Sequence, residues 1–358
     1  MIREINVQDL EKITNAVLID VRSEGEFAEA TIPGAINLPL FNDEERTQVG
    51  ITYTHESPAQ ARELGLRLVS PKLPSLVKRA QELAEQGSLV VFCWRGGMRS
   101  KAFSQVLDLM GIPVYRLLGG YKAYRKQVLE YFQSALPFHV VVLRGNTGVG
   151  KTDMLGRLRQ DGYPAIDMEG LANNRGSVFG DVGLGAAPTQ KAFESLLYEE
   201  LQHFKNWPYI IVECESRRIG RVTLPQLFFQ AMQDGTQVLV YDFMGNRVKR
   251  LHREYTAMPE SIFEIRKALQ RLVKTLGRIK VAELNDLLDR DEEEFTRRLL
   301  VEYYDLLYSY PNSPDPRYVL SLNYANPEGA VRELEEYLDK HLGSGKSEPT
   351  LLGVRNPT

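Results

Sequence analysis

The sequence predicts an α/β protein with two successive parallel α/β domains, the second of which carries a helical C-terminal part. Two apolar runs, at 89–92 and 138–143, each lead into a glycine-containing loop and then a helical pattern. The chain has 358 residues, which is too long for one ordinary core. Residues 133–137 form a short linker, so we expect domains at 1–132 and 138–342 and a flexible tail at 343–358.

The bulk composition excludes several classes of protein. Hydrophobic residues make up 43% and charged residues 25%, which is typical of a soluble globular protein. The net charge of −3 excludes a uniformly basic nucleic-acid binder. The two cysteines, Cys93 and Cys214, form no C-x-x-C pair, so a disulfide framework and a cysteine zinc site are not expected. No signal-like or membrane-length apolar run is visible, and we expect a cytoplasmic protein with no membrane partner.

A phosphate-binding loop follows the strand predicted at 138–143. Two glycines four residues apart precede a lysine and a hydroxyl, so backbone N–H groups can surround an anion. Lys151 would reach a terminal phosphate and Thr152 could ligate Mg²⁺. The pattern predicts a P-loop NTPase-like domain but leaves the phosphate ester open. The loop consists of Gly145, Asn146, Thr147, Gly148, Val149, Gly150, Lys151 and Thr152.

Two further segments of this domain are predicted at the carboxyl edge of its sheet, where open α/β sheets bind ligands. A polar, glycine-punctuated loop contains Arg175 and Ser177. A buried strand at 209–212 ends in Glu213 and Glu215, either of which could position Mg²⁺ or instead pair with a neighbouring arginine. Cys214, between them, is expected to belong to the core.

Cys93 is the candidate nucleophile of the first domain. It follows the strand at 89–92 and precedes a helix predicted at 101–110. Loop N–H groups, the helix N-terminus and two arginines would favour the thiolate. The alternative is a buried structural cysteine. The accompanying anion-binding residues are predicted to be Arg95, Gly96, Gly97, Arg99 and Ser100.

A basic stretch lies between residues 217 and 280, followed by an acidic one at 281–305. Basic residues outnumber acidic ones in the first stretch, which indicates a local RNA-binding patch within an acidic protein. The alternative is an ordinary solvated helix face. The candidate RNA contacts are Arg217, Arg218, Arg247, Lys249 and Arg250.

The first 130 residues resemble the rhodanese family. The resemblance rests on the stretches 18–22, 32–37 and 118–121 and on the Cys93 loop. It implies an α/β domain whose cysteine carries a chalcogen. The spacing C-x5-R is one residue longer than the common rhodanese C-x4-R, and it also matches the cysteine phosphatase signature. A wider loop could hold phosphate or selenophosphate beside the sulfur.

The pairing of the Cys93 loop with the phosphate loop resembles the tRNA 2-selenouridine synthase family over nearly the whole chain. Segments 175–180, 215–220 and 303–305 support the resemblance, whereas Asn174 stands where His is expected. The family implies replacement of sulfur by selenium in wobble 2-thiouridine of tRNA. It also implies selenophosphate as donor and an S-geranyl intermediate made from geranyl diphosphate. We expect tRNA as partner, a monomeric chain and no tightly bound cofactor, with Mg²⁺ as a candidate ion.

Three other functions remain open from the sequence. One is an ATP-dependent tRNA sulfurtransferase in which Cys93 delivers persulfide sulfur. Another is a nucleotide-gated regulatory protein whose first domain only binds a partner, although the intact Cys–Arg loop disfavours it. A phosphatase is the third.

Overall fold

The computed structural model describes residues 2–255 and 261–343. The chain divides into two compact units, Met1–Gln133 with Thr189–Glu199, and Ser134–Pro188 with Glu200–Thr358. Residues 344–358, nearly all of the predicted flexible tail, lie outside the described part of the chain.

The first unit contains a five-stranded parallel sheet. Its strands are β1 (Ile2–Ile5), β2 (Ala16–Asp20), β3 (Ile36–Asn37), β4 (Ser88–Phe92) and β5 (Val114–Leu117). Its helices are α1 (Glu24–Glu29), α2 (Asp43–His55), α3 (Pro58–Val69), α4 (Leu73–Ala84), α5 (Met98–Leu109) and α6 (Gly120–Phe132), with 3₁₀ turns at Val7–Lys12 and Ser70–Lys72. The strand order β1-β5-β4-β2-β3 places β4 at the centre, so the Cys93 loop leaves the middle of the sheet's carboxyl edge.

The second unit contains another five-stranded parallel sheet, in the order β12-β11-β6-β8-β7. Its strands are β6 (His139–Arg144), β7 (Ala165–Ile166), β8 (Tyr209–Glu213), β11 (Thr236–Tyr241) and β12 (Leu320–Asn323), and a small antiparallel pair consists of β9 (Arg218–Ile219) and β10 (Val222–Thr223). Strand β6 is central, and its inner residues Val140, Val141 and Val142 are buried. The phosphate loop therefore begins at the carboxyl end of the central strand of this sheet.

The remaining helices belong to the second unit, except for the first part of the helix Gln190–His203, and the later ones form a C-terminal helical part. They are α7 (Lys151–Gln160), α8 (Met168–Ala172), α9 (Gln190–His203), α10 (Gln226–Asp234), α11 (Met244–Tyr255), α12 (Ser261–Arg271), α13 (Val273–Leu276), α14 (Arg278–Arg290), α15 (Glu292–Leu299), a π-helical segment Leu300–Tyr304, α16 (Asp305–Tyr308) and α17 (Pro327–His341). Helices α11 to α15 share a buried core that includes Val248, Ile265, Leu269, Leu284 and Leu299. The predicted fold class is confirmed.

Two features of the first unit were not predicted. Thr189 and the first part of helix α9, up to Glu199, belong to it, and there Tyr124 Oη donates to Glu199 Oε1 at 2.7 Å. Helix α2 was also missed, although Asn42 gives a capping signal for it. Asn42 Oδ1 accepts from Glu45 N at 2.8 Å, and the Glu45 carboxylate accepts from Asn42 N at 3.0 Å.

No helix in the described ranges has both the length and the apolar character that a membrane span requires.

Candidate active sites

Cys93 lies between the end of β4 and the start of α5, and its side chain is buried. Its Sγ is 3.3 Å from Ser100 Oγ, and Ser100 Oγ is also 3.3 Å from Gly97 O, to which it donates. The first turn of α5 therefore holds the thiol through Ser100. Ser100, one of the predicted anion-binding residues, therefore contacts the sulfur.

Gly120 explains the Gly-Gly sequence that follows β5. It has φ +56°, and a Cβ at this position would lie 2.0 Å from Cys93 O. The close approach lets Tyr121 N donate to Cys93 O at 2.9 Å and Lys122 N donate to Trp94 O at 2.8 Å. The start of α6 thereby fixes the backbone of the Cys93 loop.

A buried ion pair stabilises the strand end next to this loop. Arg22 Nη2 is 2.6 Å from Asp20 Oδ2 and donates to Ala30 O at 2.7 Å. The Arg22 guanidinium also lies 4.3 Å from the centre of the Tyr121 ring. Asp20 and Arg22, part of the rhodanese-like signature, are therefore structural residues.

The two predicted anion-binding arginines differ in their surroundings. Arg95 is exposed, whereas Arg99 forms a two-point ion pair with Glu26, with Nη1–Oε2 at 2.5 Å and Nη2–Oε1 at 3.1 Å. Arg46 Nε lies 3.6 Å from Glu26 Oε2. Burial raises the pKa of Glu26, but the hydrogen bond and charge of Arg99 and the charge of Arg46 outweigh it and hold that pKa below its usual range. Two guanidinium groups thus share one ionised carboxylate.

The phosphate loop joins β6 to α7 and depends on glycine at three positions. Gly145, Gly148 and Gly150 have φ values of +157°, +76° and +101°. A Cβ on Gly150 would lie 2.3 Å from the Tyr324 ring. Lys151 Nζ donates to Gly145 O at 2.9 Å and to Asn146 O at 3.4 Å. The ammonium group therefore lies against the loop at the N-terminus of α7, where a phosphate would bind.

Asn146 connects this loop to an aromatic segment that was not predicted. Its buried side chain donates from Nδ2 to Tyr310 O at 2.8 Å and accepts from Tyr310 N at 3.1 Å. The Tyr310 ring stacks on Tyr308, with centroids 6.5 Å apart and an interplanar angle of 12°. Tyr310 Oη is also 3.0 Å from Cys214 Sγ. The backbone of Tyr310 therefore contacts the phosphate loop, and its ring lies against Tyr308 and Cys214.

A group of carboxylates lies beside the loop. Thr152 Oγ1 donates to Glu213 Oε2 at 3.2 Å, and Glu169 N donates to Glu213 Oε1 at 3.2 Å. The Glu169 and Glu215 carboxylates both approach Gly176, where a Cβ would lie 2.6 and 2.8 Å from their oxygens. Both predicted acids, Glu213 and Glu215, therefore lie here. Glu169, on the short helix α8, was missed because no motif precedes it.

These carboxylates resist ionisation. Burial and the negative charge of neighbouring carboxylates raise the pKa of Glu169 and of Glu213 well above the usual range, although Lys151 opposes the shift. Burial raises the pKa of Glu215 to about 7, against the effects of Glu169 and Lys151. Within the described residues, no set of three His, Cys, Asp or Glu side chains is arranged to hold a metal ion by itself.

Glu215→Gln should make the protein more stable above pH 7. The folded protein keeps a proton on Glu215 up to about pH 7, whereas an unfolded chain releases it near its ordinary pKa. The free energy of unfolding therefore falls as the pH rises from the ordinary pKa of glutamate to about 7. The loss is on the order of 3 kcal/mol for this shift in pKa. Glutamine carries no charge at any pH and escapes this loss. Thermal unfolding at pH 5.5 and 8.5 measures the effect, and equal pH dependence in both proteins would contradict it.

The predicted residues Arg175 and Ser177 shape their own loop. Arg175 Nη1 donates to Val182 O at 2.8 Å, and Ser177 Oγ accepts from Phe179 N at 3.1 Å. Asn174 Oδ1 accepts from Gly176 N at 3.0 Å, so Asn174 also stabilises the turn. This turn brings Gly176 against Glu169 and Glu215.

The predicted RNA-binding patch requires a correction. Arg247 is buried, pairs with Asp305 and donates from Nε to Thr147 O at 2.9 Å. Arg250 pairs with Asp242 and donates to Gly148 O at 3.0 Å. These two arginines brace the phosphate loop and do not present free cations to RNA. Arg217, Arg218 and Lys249 are exposed.

Comparison with known proteins assigns the family. The family model described as "tRNA 2-selenouridine synthase AAA domain" matches residues 138–342, and the "Rhodanese-like domain" model matches residues 6–127. The chain belongs to the tRNA 2-selenouridine synthase family. A tRNA 2-selenouridine synthase of Hydrogenovibrio crunogenus is 35% identical, with 84% of this chain and 91% of the relative covered. One of Sulfurovum sp. is 32% identical, with 92% and 96% covered.

Membership in this family confirms the predicted resemblance, and it makes the chain a tRNA-modifying enzyme. tRNA is therefore the ligand with which the exposed basic residues of the second unit can be tested.

Charge reversal at Arg217, Arg218 and Lys249 together should weaken tRNA binding and flatten its dependence on salt. For every RNA phosphate that a cation no longer neutralises, the slope of log affinity against log salt concentration falls by about one unit. The measurement is a binding titration at several salt concentrations. A matched control reverses Lys126, an exposed lysine of the first unit that pairs with Glu130. Unchanged slope in the triple variant would place the RNA elsewhere.

Proposed function

We propose that this enzyme replaces sulfur by selenium in a wobble 2-thiouridine of tRNA, with geranyl diphosphate and selenophosphate as its other substrates. The observation that carries the proposal is that one chain holds an intact cysteine loop and an intact phosphate loop. A prenyl diphosphate requires a site for its diphosphate, and a selenium donor requires a nucleophile near cationic groups. The two loops offer these two kinds of site.

In the first step, the sulfur of 2-thiouridine attacks C1 of geranyl diphosphate. The C1–O bond breaks and diphosphate leaves with the electron pair, while N3 of the base releases its proton to solvent. Lys151 and the N–H groups of the loop stabilise charge on the departing oxygens. Thr152 and Glu213 supply a hydroxyl and a carboxylate that would hold Mg²⁺, which neutralises diphosphate charge when bound. The Tyr308 and Tyr310 rings offer apolar surface to the prenyl chain.

In the second step, the S-geranyl group leaves from C2 of the base. The Cys93 thiolate adds to C2 and expels geranyl thiolate, which takes the electrons of the C2–S bond. The selenium of selenophosphate then attacks C2 and displaces Cys93, and water cleaves the P–Se bond to release phosphate. Arg95, which is exposed, would attract the donor anion. Prenylation turns an inert thiocarbonyl into a displaceable group.

Mass spectrometry of nucleosides tests this function. A 2-thiouridine tRNA is incubated with the protein and geranyl diphosphate, with selenophosphate, or with both. We expect S-geranyl-2-thiouridine from the first mixture and 2-selenouridine only from the complete one. Selenium incorporation without geranyl diphosphate would contradict the two-step route. A requirement for ATP would favour the sulfurtransferase-like alternative.

A further inference from the structure

An open cleft of about 610 Å³ lies on the first unit, beside helix α2. Neither the cysteine chemistry nor the phosphate loop accounts for it. Its wall combines apolar side chains with two cations. The lining residues that matter here are Phe41, Val49, Ile51, Tyr53, Arg46 and Arg99.

Helix α2 presents apolar side chains to solvent at this cleft. Ile51 is 53% exposed and Tyr53 is 59% exposed. The helix is held in place by other residues: Asn42 caps its start, and Lys72 pairs with Glu45 in its first turn. Phe41 packs towards Gly65 of α3, where a Cβ would lie 3.2 Å from the ring. Ile51 and Tyr53 are thus free to contact a ligand.

The polar part of the cleft has an excess of positive charge. Arg46 and Arg99 share the single carboxylate of Glu26, and the Arg46 side chain remains 44% exposed. One positive charge of this three-residue cluster is therefore not neutralised within it. An anionic group bound in the cleft would supply the missing charge.

Consecutive residues of α5 reach the cleft and the candidate nucleophile. Arg99 lines the cleft, and the next residue, Ser100, contacts Cys93 Sγ. An occupant that combines apolar surface with an anionic group matches this lining. Selenophosphate has only five heavy atoms and no apolar surface, so it would fill a small part of a cleft whose volume suits a drug-sized ligand.

We propose that this cleft binds the S-prenylated 2-thiouridine nucleotide of tRNA during the selenium step. The prenyl chain lies on Phe41, Val49, Ile51 and Tyr53, and a phosphate of the nucleotide pairs with Arg46. This assignment rests on the proposed function, because it requires a prenylated intermediate. It identifies a second apolar binding site in the chain, specific for the intermediate.

Ile51→Asp tests the site, with Leu66→Asp as its matched control. Leu66 is 63% exposed on the neighbouring helix α3 and does not line the cleft. The affinity of the full-length protein is measured for tRNA carrying S-geranyl-2-thiouridine and for the same tRNA carrying S-methyl-2-thiouridine. We expect the wild type and Leu66→Asp to bind the geranyl form at least about tenfold more tightly, because burial of each methylene favours binding. Ile51→Asp should bind the two forms with similar affinity.

Selenium transfer to the same two tRNAs gives the kinetic readout. Ile51→Asp should raise KM for the S-geranyl tRNA at least about tenfold, with a smaller effect on kcat, because Ile51 holds the chain and not the reacting atoms. Retained preference for the geranyl form in Ile51→Asp, or no preference in the wild type, would overturn the cleft assignment. If the wild type prefers the geranyl form through Ile51 but transfers no selenium to it, the cleft assignment stands and the proposed function fails.

Discussion

Cys93→Ser will stop selenium incorporation while geranylation of 2-thiouridine continues. The hydroxyl that replaces the thiol is a poor nucleophile at its free pKa, so its addition to C2 is slow. Removal of a nucleophile in this way costs several orders of magnitude in rate. The variant keeps the size of the side chain and its partner Ser100, so the loop is expected to retain its structure. In the proposed first step, geranylation depends on Lys151 and Thr152 and needs no thiol.

The measurement separates the two products by mass spectrometry of nucleosides from one reaction. Cys214→Ser is the thiol control, because Cys214 is the second cysteine of the chain and belongs to the other unit. With tRNA that is already geranylated, Cys214→Ser should still form 2-selenouridine and Cys93→Ser should not. Equal loss of both products in a folded Cys93→Ser variant would refute the division of roles.

The fold and the two loops were predictable because their signals are local. Each domain has a buried strand, a glycine loop and the start of a helix within about twenty consecutive residues. These segments determine that Cys93 and Lys151 follow the carboxyl ends of their strands. Gly120 is a similar case, since its positive φ requires glycine at that position. The sequence therefore predicted both the α/β class and the phosphate loop.

The partners of the site residues were not predictable because they come from distant parts of the chain. Arg247 belongs to a basic stretch by composition, yet it is buried against Asp305 and the phosphate loop. The numbers of basic and acidic residues give the net charge of a segment, but they do not show which side chains are buried. Glu169 likewise lies near Glu213 and Glu215 but belongs to helix α8, and no short motif marks it. Asn42 is the exception, since its capping signal for α2 was available and was missed.

Lys151→Ala will abolish geranylation yet leave selenium transfer to pre-geranylated tRNA intact. In the wild type, the Lys151 ammonium lies against the phosphate loop, with Nζ 2.9 Å from Gly145 O. In the proposed first step it supplies the charge that a departing diphosphate needs. Once the tRNA is geranylated, the diphosphate has already left and this charge has no further role. We expect a loss of at least about a hundredfold in the first step, in the range that removal of one such stabilising group causes.

The same variant distinguishes this route from an ATP-dependent transfer, although both require the lysine. If the loop binds a nucleotide that activates the substrate for chalcogen transfer, Lys151→Ala should fail with pre-geranylated tRNA as well, and the wild type should need ATP for that conversion. The decisive reaction therefore contains Lys151→Ala, pre-geranylated tRNA and selenophosphate without nucleotide, and Cys93→Ser serves as the negative control. Absence of 2-selenouridine, in a variant shown to fold and to bind tRNA, would refute the assignment of the phosphate loop to geranyl diphosphate. Formation of 2-selenouridine would show that the loop acts before the selenium step, because the only remaining need for Lys151 would be the departure of diphosphate.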